Sequence, residues 1–182
     1  MLRMEFETDL SDKLKASLIC RHAKPDDLPA LEWGGEYSHF RRIFHEAYQQ
    51  SLRGKGLIWL TELPDFGLLA QAFIQLQSQQ TDFADGSTIA YLYGFRVKPR
   101  FRNNGIGTHL MQVIEADLAR RGYHKLTLNV GRENRGAYRL YRRLGYRVIG
   151  ADPGRWSYLD HNGIKQTVNE PAWRMEKALR FE

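Results

Sequence analysis

The chain has 182 residues, of which 42% are hydrophobic, with a formal net charge of +6 and one cysteine, Cys20. That length suits one domain with a core of its own. A lone cysteine excludes an internal disulfide framework and suits a reducing, cytoplasmic setting, and no apolar run approaches the roughly 20 residues of a membrane-spanning helix.

The acidic N-terminal residues lack the apolar core of a signal peptide, and residues 1–15 read as a flexible extension. Residues 17–22 read as a strand in which Cys20 is packed rather than reactive. Pro25, Asp26 and Asp27 form a turn into a short helix through Leu31. Residues 36–51 are a predicted helix, because Tyr37, Phe40, Ile43, Phe44, Ala47 and Tyr48 recur three and four residues apart. Gly54 and Gly56 end it.

Three strands follow. Residues 57–63 are a continuous apolar run, and residues 70–76 alternate strictly. Residues 89–97 are the clearest strand, with Ile89, Tyr91, Tyr93, Phe95 and Val97 expected on one face. Pro99 ends it. A helix over 105–121 has the buried stripe Leu110, Val113, Ile114 and Leu118, with Gly122 as its C-cap. Residues 126–130 are a strand. Asn134 caps a helix running to Leu144. Strands over 146–149 and 156–160 come next, and His161, Asn162 and Gly163 turn the chain into a strand over 165–168. Residues 155–171 thus form a hairpin beyond the minimal fold, suited to closing a site or to homodimerisation. Residues 173–178 are the last strand. This order implies an α/β mixed sheet with helices on both faces.

Charge is unevenly placed. Thirteen Lys and Arg against three acidic residues fall between Arg96 and Arg147, a local +10, so the remainder is net negative. Such a segment suits a polyanion. About half of its arginines read as a solvated helix face.

The decisive stretch is Val97 to Leu110. A strand enters a turn containing Gly105 and Gly107, and a helix starts there. Unpaired N–H groups and the helix dipole favour an anion at such a place, and Arg100 and Arg102 add charge. A Walker A loop would continue from glycine to Lys and Ser or Thr, but Thr108 and His109 follow Gly107. A dinucleotide fingerprint would need a third glycine where Leu110 stands, and an acid after the next strand. A plain turn with packing glycines is the competing reading.

Arg102-Asn103-Asn104-Gly105-Ile106-Gly107, after Phe95-Arg96-Val97, resembles the Gln/Arg-x-x-Gly-x-Gly/Ala signature of the GCN5-related N-acetyltransferase (GNAT) family. Asn134-Arg135-Gly136-Ala137-Tyr138-Arg139-Leu140-Tyr141, followed by Leu144-Gly145-Tyr146, resembles its second block. The specific resemblance covers residues 89–147.

The resemblance implies one GNAT-like acyl-CoA N-acyltransferase domain over residues 1–182, with a central, mostly antiparallel sheet. It implies acetyl-CoA as co-substrate, an amine acceptor, no metal, and neither nucleic acid nor membrane as partner. By it, the main chain of Phe95 and Val97 holds the pantetheine arm. The amides of Asn103, Asn104, Gly105, Ile106, Gly107 and Thr108 hold the pyrophosphate, with Arg102 at the loop's start. Asn134 reaches the arm and Ala137 leaves room for it. Tyr141 is the catalytic acid that protonates the leaving thiolate, with Tyr138 as its alternative; an ordinary core role for Tyr141 competes.

The proton acceptor is harder to place. Where some family members carry glutamate, this chain has Tyr91 and Asn129. A water chain, Glu32 or Glu36 is left for that role. Tyr91 and Tyr93 are expected near the acetyl group, on the face of Phe95. Trp33, Tyr37, Phe40, Trp156, Tyr158 and Trp173 either line the acceptor pocket or fill the core. The reading is acetyl transfer to a primary amine by direct attack in a ternary complex, with a small-molecule amine favoured over a protein amine. The alternative is a non-catalytic CoA-binding module.

Overall fold

The computed structural model describes residues 16–64 and 66–180, so the expected extension over residues 1–15 lies outside the described residues. Its strands are β1 (Ile19–His22), β2 (Gly56–Leu63), β3 (Gly67–Gln75), β4 (Ile89–Val97), β5 (Lys125–Gly131), β6 (Arg147–Asp152), β7 (Arg155–Leu159), β8 (Lys165–Asn169) and β9 (Ala172–Ala178). Its α-helices are α1 (Arg41–Leu52), α2 (Ile106–Arg120) and α3 (Arg135–Arg143). Seven strands form one sheet in the order β1-β2-β3-β4-β5-β9-β6. All neighbours in it are antiparallel except β4 and β5, which are parallel. β7 and β8 pair separately as the expected hairpin. No described helix is long and apolar enough to cross a membrane.

The apolar stripes dictate which face each helix covers. On one face, Leu110, Met111, Ile114 and Leu118 of α2 are wholly buried in a cluster with Ala72, Ile74, Leu92, Leu126 and Leu128. Tyr141 of α3 joins this cluster. On the other face, Phe44 and Ala47 of α1, with Leu28 and Leu31 of a preceding 3-10 turn, pack on Ile58, Leu60 and Phe73. The rings of Phe44 and Phe73 stack at 5.5 Å. β3 is therefore buried on both sides, and its Gln71 must be bonded internally; its Oε1 accepts from Trp33 Nε1 at 2.9 Å. Cys20 is packed as expected: its Sγ lies 3.4 Å from Thr61 Oγ1, and burial pushes its thiol pKa up.

Two expectations need correction. The helix expected over 36–51 is α-helical only from Arg41, after a 3-10 turn at Ser38–Phe40. Trp33, Gly34 and Gly35 have positive φ of 51°, 72° and 110°, so the chain turns sharply before it can coil regularly. The second correction concerns β4. Its register with β3 pairs Phe73 with Tyr93 but Gln71 with Arg96. Gly94 and Phe95 thus both oppose Ala72, a β-bulge, with Gly94 at φ 59°. The extra residue inverts the alternation. Tyr93 packs with Phe73 on the α1 face, whereas Phe95 and Val97 pack on the α2 face. Tyr91 and Tyr93, stacked at 6.2 Å, do not share the face of Phe95.

Bulging at Gly94 is demanded twice, by its positive φ and by a close neighbour. A Cβ there would stand 2.7 Å from Phe73 Cδ2. Gly94→Ala should destabilise the fold by about 1–3 kcal/mol. Urea unfolding measures this, and an unshifted midpoint would contradict the bulge.

Candidate active site

The site begins where two parallel strands part. β4 and β5 pair only from Ile89–Leu92 with Lys125–Leu128. Beyond that, Tyr93 onward in β4 stays with β3, and Asn129–Gly131 stay with β9. The bulge bends β4 at the level where the pairing stops. A splay opens between the strands, leaving a stretch of β4 with an uncovered edge.

The turn after β4 lies at the wide end of the splay. Arg102 Nε donates to the carbonyl of Val97 at 2.9 Å, and Asn104 Nδ2 donates to the Arg102 carbonyl at 3.0 Å. Asn103 and Gly105 are left-handed, with φ of 64° and 76°. The first helical bond of α2 runs from His109 N–H to the Gly105 carbonyl. The amides of Asn103 to Thr108 have no acceptor among the described residues. An array of free N–H groups at the positive end of a 15-residue helix is an arrangement that favours an anion. The two glycines do different work. Gly105 supplies a left-handed N-cap, whereas Gly107 supplies contact. A Cβ on Gly107 would lie 3.3 Å from Phe95, 3.5 Å from Leu140 and 3.6 Å from Val97. The packing role considered for the glycines therefore holds for Gly107.

α3 brings the second motif against the same edge. Asn134 is its N-cap as expected, its Oδ1 accepting from Ala137 N–H at 3.1 Å. Ala137 and Tyr138 are half-buried against the α2-side core. Tyr141 is 5% exposed, its ring 6.2 Å from Phe95 and 5.7 Å from Tyr146. Its hydroxyl bonds to no described residue. Burial, with a smaller contribution from Tyr91, holds its phenol pKa above the usual value. Tyr91 is pushed up to about 12, by burial first and then by Asp152, with Arg174 opposing. The two phenols thus sense each other although they belong to opposite faces of the sheet. Arg135, Arg139, Arg142 and Arg143 are exposed, the solvated face anticipated for part of the basic segment.

On the α1 side the splay opens into a groove of about 970 Å³. Phe40, Phe44, Tyr93, Arg96 and Trp156 are among its walls. Arg96 lies 4.3 Å over the ring of Tyr37 and 5.3 Å from that of Phe40. Phe40 also packs on Tyr158 at 5.0 Å and on Trp156 at 6.3 Å, so the β7–β8 hairpin closes one end.

The acetyltransferase (GNAT) family model matches residues 56–146. The chain belongs to the GNAT family. No curated protein matches its sequence at a significant level. Among solved structures, it is similar to the ribosomal-protein-S18-alanine N-acetyltransferase of Escherichia coli, with TM-score 0.67, 20% identity, and 91% of this chain and 96% of that one covered. The spermidine/spermine N-acetyltransferase of Vibrio cholerae gives TM-score 0.67 at 15% identity, covering 91% and 95%. YncA of Salmonella typhimurium, a putative acetyltransferase solved with its cofactor acetyl-CoA, gives 0.66 at 15%, also covering 91% and 95%. At these identities the likeness is one of fold.

Within this GNAT fold, several sequence-predicted residues lie away from the groove. Glu32 forks onto Arg41 at 2.6 and 2.9 Å, which holds its carboxyl below the usual range. Neither Glu32 nor Glu36 lines the groove. Trp33 is spent on Gln71, and Trp173 packs in the α2-side core with Arg132 4.3 Å over its ring. Asn129 does line the groove, and its Oδ1 is buried without a partner, as is Nε of Arg174, its register neighbour on β9. Glu46, Asp152, Glu170 and Arg174 also line it and went unread in the sequence. They come from α1, β6, the β8–β9 connection and β9, with no spacing to link them. Gly107→Val should force α2 off β4 and α3 and destabilise the fold by about 1–3 kcal/mol. Urea unfolding checks this, and wild-type stability would contradict the close packing.

Proposed function

We propose that this protein transfers the acetyl group of acetyl-CoA to a primary amine by direct attack in a ternary complex, with a small-molecule amine favoured over a protein amine. The observation that carries the reading is the splay of β4 from β5, with free amides at one end and Tyr141 beside it.

Each residue's work follows from its setting. The amides of Asn103, Asn104, Gly105, Ile106, Gly107 and Thr108 bind the pyrophosphate, and the exposed Arg102 adds charge. Phe95 and Val97 lend main-chain groups to the pantetheine arm along the uncovered edge of β4, as an added strand would be held. The Val97 carbonyl already accepts from Arg102 and keeps its second lone pair for this. Asn134 spends its oxygen on the cap and has its amide nitrogen left for the arm. Ala137 leaves the space above it open. The groove's volume suits a small acceptor, whose sites span about 300–1,000 Å³.

Tyr141 donates a proton to the departing sulfur. A CoA thiol titrates near 8.5 and an ordinary phenol near 10, roughly. Burial raises the Tyr141 value further, so the phenol stays protonated across the working range. Loss of that proton therefore sets no basic limb in kcat below about pH 10. Tyr141→Phe should lower kcat roughly 100-fold while CoA affinity changes less than about twofold. Thiol release from acetyl-CoA against polyamines, amino acids, aminoglycosides and peptides, with calorimetry of CoA, measures both. An undiminished kcat in Tyr141→Phe refutes the acid role. CoA binding without thiol release for any amine would favour a non-catalytic CoA-binding module.

A further inference from the structure

Acetyl transfer leaves one proton without a destination. Tyr91 and Asn129, which flank the start of the splay on the groove side, are not carboxylates. Two residues beyond Asn129 on β5 stands Gly131, whose absent side chain would point to the same face. That space is filled by a distant part of the chain. A Cβ on Gly131 would collide with Glu170 Oε1, and would lie 3.1 Å from Glu170 Cδ and 3.3 Å from its Cγ. The Glu170 carboxylate thus lies on the β5 backbone, inside the groove, where a β5 side chain would otherwise sit.

Main-chain contacts fix the backbone that carries it. The Glu170 N–H donates to the Gly154 carbonyl at 3.0 Å. The next carbonyl, of Pro171, accepts from Arg132 N–H at 2.9 Å. Gly154, at φ 64°, lets the two segments touch, since a Cβ there would collide with the Glu170 carbonyl. The β8–β9 connection is pinned both to the β6–β7 corner and to the end of β5. One step back along the same face, the buried Asn129 Oδ1 lacks a hydrogen-bond donor. A buried acceptor of this kind calls for one.

We propose that Glu170 takes the proton of the attacking amine, with the Asn129 oxygen accepting a hydrogen bond from that amine and orienting it. The assignment rests on the acetyl-transfer reading above. The amine nitrogen forms a bond to the thioester carbon, and the carbon–sulfur bond breaks. The proton from nitrogen goes to the Glu170 carboxylate, and the sulfur receives one from Tyr141. Glu170 is exposed, so its proton passes on to solvent, and the Tyr141 phenolate takes one back from solvent after CoA leaves.

Other charged groups share the groove. Asp152 of β6 has its Oδ1 committed to Gly154 N–H at 2.7 Å, and Glu46 belongs to α1 on the other wall. Both are acidic side chains. Arg96 of β4, Arg155 of β7 and Arg174 of β9 bring positive charge, although Arg174 is drawn toward the Asp82 carbonyl at 2.6 Å. Tyr91 and Tyr93 stay neutral, because burial raises their phenols.

The test uses the full chain, acetyl-CoA and whichever amines of the panel the wild type acetylates, with kcat/KM followed against pH. Glu170→Gln should lower kcat about 100-fold and remove the carboxylate limb on the acid side, with CoA affinity retained. Gly131→Ala keeps the carboxylate but pushes it off β5. Its φ is not left-handed and the glutamate tip can move, so the variant folds and should show the same loss. Glu170→Asp should recover part of it. Wild-type kcat and pH profile in Glu170→Gln overturn this assignment alone. No thiol release by the wild type with any amine overturns the acetyl-transfer reading, and this assignment with it.

Discussion

The structure turns on the bulge at Gly94. A regular β4 would keep Tyr91, Tyr93 and Phe95 on one face. The extra residue instead sends Phe95 and Val97 to α2 and leaves Tyr91 and Tyr93 toward the groove. One backbone irregularity therefore separates the two halves of the site. It also lies where β4 and β5 cease to pair, so the uncovered strand edge and the change of face have a common origin. Bulges re-aim side chains and end pairing in this way.

The turn after β4 depends on that same change of face. With Phe95 and Val97 directed at α2, the first turn of the helix comes close, and a side chain at Gly107 would press on Phe95, Leu140 and Val97. Gly105 serves a different end, since its left-handed φ lets the chain enter the helix with the free amides of the loop turned outward. The two glycines of one short motif answer separate constraints, packing for one and backbone conformation for the other.

What was legible in the sequence was local. The loop from Arg102 to Thr108 and the block from Asn134 to Tyr141 are contiguous, so their residue types and spacing carry their own meaning. Strand and helix positions followed from periodicity, and Ile89–Val97 was delimited to the residue. Gly94 inside that strand is the available sign of a bulge, one that an alternation pattern over Ile89–Val97 passes over. Trp173 resembled a pocket residue by type, but its parity along β9 directs it to the α2 side. The carboxylates of the groove gave no signal. Glu170 meets Gly131 across 39 positions of chain, through main-chain contacts with Gly154 and Arg132 that no local pattern encodes.

The placement of charge separates the two proposed substrates. The donor side is built from exposed arginines and free amides, all of one sign, as suits a polyphosphate held by field as much as by fit. The groove is mixed, with Arg96, Arg155 and Arg174 against Glu46, Asp152 and Glu170. Such a wall neither concentrates cations nor repels them strongly over distance. Selection of the acceptor must then come from short-range features: the aromatic rings at the hairpin end, the unpaired Asn129 oxygen, and the carboxylate lying on Gly131. A long, uniformly cationic amine would meet three guanidinium groups as well as three carboxylates along this surface. A compact acceptor that presents one amine to β5 and an apolar or anionic portion toward Arg96 and Trp156 would leave the fewest of these groups unsatisfied.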